Sequence, residues 1–289
     1  MDFRSILMGM AFVIMWSSAF TSARMIVADA PPLTALALRF LLSGLIGVGL
    51  ARSMGQSWHL TRSQWRATAV FGLCQNALYL GLNFIAMQNV EASLAAIIAS
   101  TMPLLVALAG LVVFGERIQS LGFAGLIAGV IGVSLIMGAR FQGGVDGLGI
   151  TLCILGVISL TVATLAMRGA SAGGNFLMVV GLQMLVGSAV LAVPAILFEP
   201  FSVNWNLRLI AAFTYTTLVP GLAATLVWFM LVDRIGTVKA ATFHFLNPFF
   251  GVAIAAMFLS EKLGPLDLVG VIIITGGILA VQLSKQKPQ

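Results

Sequence analysis

His244 and Asn247 stand three residues apart in an apolar stretch that runs into Pro248, and Asn76, Tyr79 and Asn83 recur at steps of three and four in another. Such steps put each set on one face of a helix. Ser17, Thr21 and Arg24 share a third face beside Trp16, and Trp228 adds a second indole in a later apolar run. Amides, hydroxyls, one imidazole and two indoles can hydrogen-bond and stack on a small solute, so Trp16, Ser17, Asn76, Tyr79, Asn83, Trp228, His244 and Asn247 are candidate substrate-binding residues. The competing reading makes each of them a hydrogen-bonding link between neighbouring helices. Catalysis needs more than these residues offer. His59 and His244 are the two histidines, His59 falls in a loop, and no carboxylate interrupts an apolar run to serve as a base, a nucleophile or a metal ligand. Neither an enzyme nor a metal or cofactor site is expected, and Cys74 and Cys153, both inside apolar runs, read as small buried hydrophobes.

All nine acids, Asp2, Asp29, Glu91, Glu116, Asp146, Glu199, Asp233, Glu261 and Asp267, lie at segment ends or in loops. His244 is then the one interior side chain whose ordinary pKa, about 6.5, suits proton exchange near neutrality. Arg39 lies several residues inside the second apolar segment, where an Arg costs about 2.5–3.5 kcal/mol on insertion scales. It must snorkel outward, pair with a structural partner, or face a substrate carboxylate. Pro103 and Pro248 each remove a backbone donor, so kinks are expected at both.

The elements that carry these residues belong to a membrane. Hydrophobic residues make up 60% of the chain and charged residues 8%, against roughly 25% charged in soluble domains, and the mean hydropathy is +1.08. Ten apolar segments approach the ~20 residues a helix needs to span a bilayer, at about 5–27, 33–52, 66–87, 92–114, 121–138, 148–168, 175–198, 208–231, 238–259 and 266–284. The first is too long and too polar at Trp16-Ser17-Ser18 for a signal peptide and is read as retained. Pro31-Pro32, Gly143-Gly144 and Gly173-Gly174 break the runs, and residues 52–65 are expected to form the one loop of any size. The net charge of +6 forms no basic stripe, which argues against nucleic acid.

A self-match fixes the organisation. At an offset of 145, Pro103 lies over Pro248, Glu116 over Glu261, Arg117 over Lys262, Gly125 over Gly270 and Gly132 over Gly277. The chain reads as two five-helix repeats, residues 1–140 and 141–289. With the N-terminus cytoplasmic, Arg4, Arg52, Arg62, Arg66, Arg117, Arg168, Arg234, Lys239, Lys285 and Lys287 fall inside, against Arg24, Arg140, Arg208 and Lys262 outside. That bias puts both termini in the cytoplasm. Five is odd, so the second repeat enters from the opposite side. The expected fold is an all-α membrane protein of ten transmembrane helices in two inverted-topology five-helix repeats, with a substrate site near the midplane. Small residues at Gly122, Gly125, Gly129, Gly270, Gly276 and Gly277 are expected to let helices pack closely.

Trp16-Ser17-Ser18, Arg39-Phe40, Gly-Glu-Arg at 115–117 and Ser-Glu-Lys at 260–262, with the spaced glycines that follow, carry a resemblance over essentially the whole chain. The pattern resembles the drug/metabolite transporter superfamily, specifically its ten-helix exporters built from two EamA-type domains. Gln183 stands next to the position where the second repeat would match Arg39, Met184 at the offset of 145, so no role of that Arg carries across. The resemblance implies export of small metabolites, amino acids among them and aromatic or other neutral ones in particular, from a multi-pass position in the cell (inner) membrane. Small multidrug exporters in the same superfamily carry a Glu in their first helix, and this chain has none there. Alternating access without an intramembrane carboxylate is the expected mechanism. A proton-coupled multidrug or metabolite exporter is the alternative; a channel would call for a filter-like loop. The expected partners are a small-molecule substrate and the lipid bilayer, with the chain a monomer.

Overall fold

A computed structural model describes residues 2–116, 118–142, 144, 146–166 and 174–284. Arg117, Gly143, Arg168, Gly173, Lys285 and Lys287, and the side chain of Arg140, all used in the sequence reading, lie outside the described residues. Among the described residues every regular element is a helix. Ten stretches are long and apolar enough to cross a membrane: α1 (Phe3–Val27), α2 (Pro32–Ser53), α3 (Arg62–Ala86), α4 (Ala92–Phe114), α5 (Ser120–Gly138), α6 (Gly147–Ala166), α7 (Phe176–Phe198), α8 (Leu207–Ile235), α9 (Lys239–Leu259) and α10 (Pro265–Ser284). Their outward side chains are apolar, as at Val112, Ile196 and Phe198, a surface suited to lipid rather than water.

The loop expected over 52–65 is shorter, and it is matched by a second one. The α2 helix continues through Ser53, while α3 starts at Arg62, ahead of its apolar run. A capping box explains the early start: the Gln64 amide donates to Thr61 Oγ1 at 3.3 Å and the Thr61 amide to Gln64 Oε1 at 2.9 Å. Residues 54–61 remain as loop, and residues 199–206 form its counterpart at the same offset of 145.

Two compact units share the chain, and neither is one sequence repeat. The first comprises Met1–Thr21, Asn89–Thr151 and Ala223–Gln289, and the second Ser22–Gln88 and Leu152–Leu222. In the first, α5 and α10 pack backbone to backbone. A Cβ added at Gly125 would stand 2.6 Å from the Gly277 carbonyl oxygen, and one at Gly132 would stand 2.9 Å from that of Gly270. Gly125 and Gly270 are repeat equivalents, as are Gly132 and Gly277, so the contact is reciprocal. Only glycine permits this approach. Gly276, by contrast, faces open space. In the second unit α2 and α7 pack as closely, with a Cβ at Gly181 only 2.8 Å from the Val48 amide, and Ser188 Oγ donating to the Ala37 carbonyl at 2.8 Å.

Four helices are irregular, in two matching pairs. The α4 helix breaks at Thr101, ahead of Pro103, and α9 passes through a 3-10 turn over Phe243–Leu246 ahead of Pro248. Each proline removes a donor from the carbonyl four residues back, and the chain tightens to satisfy it: the Thr101 amide reaches Ile98 and Ala99, and the Asn247 amide reaches His244. The second pair comprises wide π turns at Gly72–Tyr79 in α3 and Val219–Ala223 in α8.

Candidate functional site

Within the first unit, rings from three helices converge on His244. Phe12 and Trp16 lie one turn apart on α1, Trp228 comes from α8, and the 3-10 turn of α9 presents the imidazole. The His244 ring centroid is 5.1 Å from that of Trp228, 5.2 Å from Phe12 and 6.4 Å from Trp16, and the last two meet it edge-on. Phe12 and Trp228 are themselves 4.8 Å apart. Phe12 is buried, whereas Trp16, Trp228, His244 and Asn247 are half-buried, and the two indoles pack against the core cluster that contains Phe12 and Phe243.

Asn247 is the hydrogen-bond partner of the imidazole. Its side-chain amide lies 2.9 Å from His244 Nδ1, and the tautomer of the ring sets which of the two donates. The Asn247 Oδ1 atom is buried without a hydrogen-bond partner, and Ser17 Oγ donates to the Asn247 backbone carbonyl at 3.4 Å. The cluster therefore offers aromatic faces beside one vacant carbonyl acceptor. Such faces attract apolar rings and ammonium groups alike, and a buried acceptor left without a donor costs about 1–3 kcal/mol until something fills it.

The second unit holds the Asn76, Tyr79 and Asn83 stripe differently. All three are at most 4% exposed. Asn76 Nδ2 donates to the Gln183 carbonyl of α7 at 2.9 Å, and Asn83 Nδ2 to the Tyr79 carbonyl at 2.8 Å. Gly187 of α7 packs directly on Asn76, and a Cβ at Gly156 of α6 would stand 2.7 Å from Asn83 Nδ2. Ser159 Oγ of α6 takes up the Cys74 carbonyl at 2.8 Å inside the π turn. In this structure the stripe is a packing surface for α3 against α6 and α7. The structure thus gathers Trp16, Ser17, Trp228, His244 and Asn247 in one unit and Asn76, Tyr79 and Asn83 in the other.

Arg39 is also in the second unit, 6% exposed, with its guanidinium carbon 5.0 Å from the Phe40 ring centroid. Its Nε has no hydrogen-bond partner. The guanidinium borders the π turn of α8, since a Cβ at Gly221 would stand 3.6 Å from Arg39 Nη2 and 3.1 Å from the Thr216 carbonyl, the one Pro220 leaves without its helical donor. One turn on, Ser43 Oγ donates to the Thr217 carbonyl at 3.3 Å. Arg24 caps the end of α3 in the same unit, donating to the carbonyls of Met87 and of Gln88.

The acids hold helix starts. Glu261 takes the Ala92 and Ser93 amides at 2.8 and 2.9 Å, capping α4, and Glu199 takes those of Leu33 and Thr34, each at 2.7 Å, capping α2. A carboxylate there meets unpaired N–H groups and the positive end of the helix dipole. Asp146 caps α6 likewise. Asp2 accepts from Ser5 and Arg234, which hold its carboxyl well below the usual carboxylate range. Among the described residues no group of three His, Cys, Asp or Glu is placed to hold a metal ion.

Sequence reasoning missed Phe12, the two π turns and the distant caps. Phe12 stands one turn before Trp16, a spacing open to view but lost in an apolar run. The caps bridge more than 160 positions and leave no local signal.

Comparison with known proteins agrees with this architecture. The model of the EamA-like transporter family matches residues 3–138 and again 147–283. The chain belongs to the EamA-like transporter family. It is accordingly a multi-pass membrane transporter of the drug/metabolite transporter superfamily. The uncharacterized transporter YvbV of Bacillus subtilis is 28% identical over 96% of this chain and 90% of its own length. Protein PecM of Dickeya dadantii is 24% identical over 91% of this chain and 86% of its own. The aromatic amino acid exporter YddG of Ancylobacter novellus is 30% identical over 139 residues, 47% of each chain. A solved crystal structure superposes on this EamA-like chain with a TM-score of 0.69 at 20% identity, covering 98% of both, which is a likeness of fold.

Proposed function

We propose that this transporter exports amino acids, aromatic or other neutral ones, by alternating access, and that the half-buried ring cluster around His244 binds them. The observation that carries the reading is the pairing of the half-buried Trp16 and Trp228 with the partnerless, buried Asn247 Oδ1. A substrate ammonium or indole N–H supplies the missing donor, and an aromatic side chain stacks in the cluster. The name of the YddG relative supports the substrate class. The reciprocal glycine contacts support two repeats of inverted topology, and the basic-residue bias supports cytoplasmic termini in a cell membrane.

The mechanism on this reading is facilitated export, with solute running down its own gradient. No acid sits in a helix interior to carry a proton. A second reading, proton-coupled export, rests on His244, the one titratable imidazole in the cluster. Counterflow of radiolabelled tryptophan, phenylalanine and leucine in proteoliposomes separates these. Saturable exchange at equal pH on both sides supports the facilitator, whereas accumulation that a protonophore collapses supports coupling, and conductance without saturation supports neither. Topology is tested by single cysteines at Arg62 and Gly144 in a background lacking Cys74 and Cys153. They label from opposite faces if the repeats are inverted.

A further inference from the structure

A second built site lies far from this chemistry in sequence, on the 54–61 loop of the second unit. Trp58, His59, Leu60, Thr61 and Trp65 line an open cavity of about 460 Å³. Trp58 and Trp65 remain 58% and 43% exposed, although nothing in the packing of this unit requires an indole at the surface. Three exposed arginines lie on the helix ends that adjoin this loop. The Arg52 guanidinium lies 5.7 Å from the Trp58 ring centroid, and Arg62 and Arg66 stand one turn apart at the start of α3 with Trp65 between them in sequence. No Asp or Glu occurs between Asp29 and Glu91, so these cations have no acidic neighbour in the surrounding chain.

The loop is held in place rather than loose. The Met178 amide donates to Gln56 Oε1 at 3.0 Å, the Ser57 amide to Asn175 Oδ1 at 2.8 Å, and Ser57 Oγ lies 3.0 Å from His59 Nδ1. The cavity is therefore preformed, which lowers the ordering cost of binding. It sits at the ends of two helices of membrane-spanning length, α2 and α3, where headgroups lie and where indoles concentrate. Guanidinium groups match phosphate by paired N–H donors.

We infer that this cavity binds the phosphate headgroup of an anionic phospholipid, its glycerol backbone resting on Trp58 and Trp65 and its phosphate on Arg52, Arg62 and Arg66. The chain carries its own control. The equivalent stretch, 197–211 against 52–66, exposes Trp205 but carries Glu199 and a single arginine, Arg208, in place of three, so a weaker preference is expected there.

The test is native mass spectrometry of the full chain in detergent, titrated with phosphatidylglycerol or with phosphatidylcholine. Phosphatidylglycerol adducts are expected to form about tenfold more tightly, and Arg52→Gln with Arg62→Gln to erase that difference by weakening phosphatidylglycerol much more than phosphatidylcholine, whose choline already offsets its phosphate charge. Trp58→Ala weakens both lipids, and Trp205→Ala neither. Equal affinity for the two lipids, or a preference that survives the Arg substitutions in folded protein, overturns the inference. Displacement of phosphatidylglycerol by millimolar inorganic phosphate overturns it too, assigning the cavity to a free anion. Arg52→Gln alone leaves the Thr61–Gln64 cap of α3 intact, so its reading stands if the double variant fails to fold.

Discussion

The two units hold polar groups in their membrane-length helices to opposite ends. Around His244 the residues are half-buried and the Asn247 side-chain Oδ1 lacks a donor, whereas Asn76, Tyr79 and Asn83 are buried under α6 and α7 with both amide nitrogens bonded to backbone carbonyls, although Asn83 Oδ1 too has no partner. Both sets read alike as sequence, being amides at helical spacing in apolar runs. What separates them is the partner on the facing helix. Gly187 and Gly156 bring backbone right onto the stripe, while His244 meets the rings of Phe12, Trp16 and Trp228. Each set holds one amide oxygen without a donor, so the difference between them lies in burial and in the small residues that face the stripe.

The sharpest break in this contrast is Gly156→Leu. Its side chain would enter the space of Asn83 and Tyr79, so about 3 kcal/mol or more of stability is lost, read as loss of monodisperse protein on size-exclusion chromatography. Next comes Asn247→Leu, which removes the vacant acceptor. Counterflow at low substrate is expected to fall about tenfold, with the thermal midpoint in detergent nearly unchanged. Asn76→Leu reverses that pattern. It removes the hydrogen bond from α3 to the Gln183 carbonyl of α7 and costs about 0.6–1 kcal/mol of stability, while transport per folded molecule holds. An equal drop in per-molecule transport for Asn76→Leu and Asn247→Leu would merge the two classes and break the comparison.

The smallest effect concerns the Asp2 ion pair. Its folded pKa is lowered by Arg234 and Ser5, so the pair stabilises the protein above the unfolded value of about 3.9 and that contribution fades as pH falls below it. Asp2→Asn should remove the contribution at neutral pH and leave acid stability unaltered. Melting curves of the two proteins across pH check this, and parallel curves would contradict it.

The repeat was legible because matched Pro, Glu and Gly residues survive at one offset, and the ten helices because apolar runs of bilayer length need no partner to be recognised. Loop ends were less so: the α3 start rests on the Thr61–Gln64 side chains, which precede the apolar pattern. At the site, polarity at Asn247 and Asn83 was visible, but openness depends on which residue a neighbouring helix places opposite. That is a tertiary fact. The π turns at Gly72–Tyr79 and Val219–Ala223 were signalled only by Gly72, Pro220 and Gly221, too few to distinguish a wide turn from an ordinary kink.

The central claim, that solute meets the His244 cluster and not the sealed stripe, is tested most directly by substrate protection of single cysteines. In a background lacking Cys74 and Cys153, Asn247→Cys and Asn83→Cys proteins in proteoliposomes are treated with a small membrane-permeant thiol reagent, with and without tryptophan. Labelling of the Asn247→Cys protein, slowed by tryptophan, beside an unlabelled Asn83→Cys protein is the predicted result. Labelling of the Asn83→Cys protein that tryptophan slows, with the Asn247→Cys protein indifferent to it, would contradict the account.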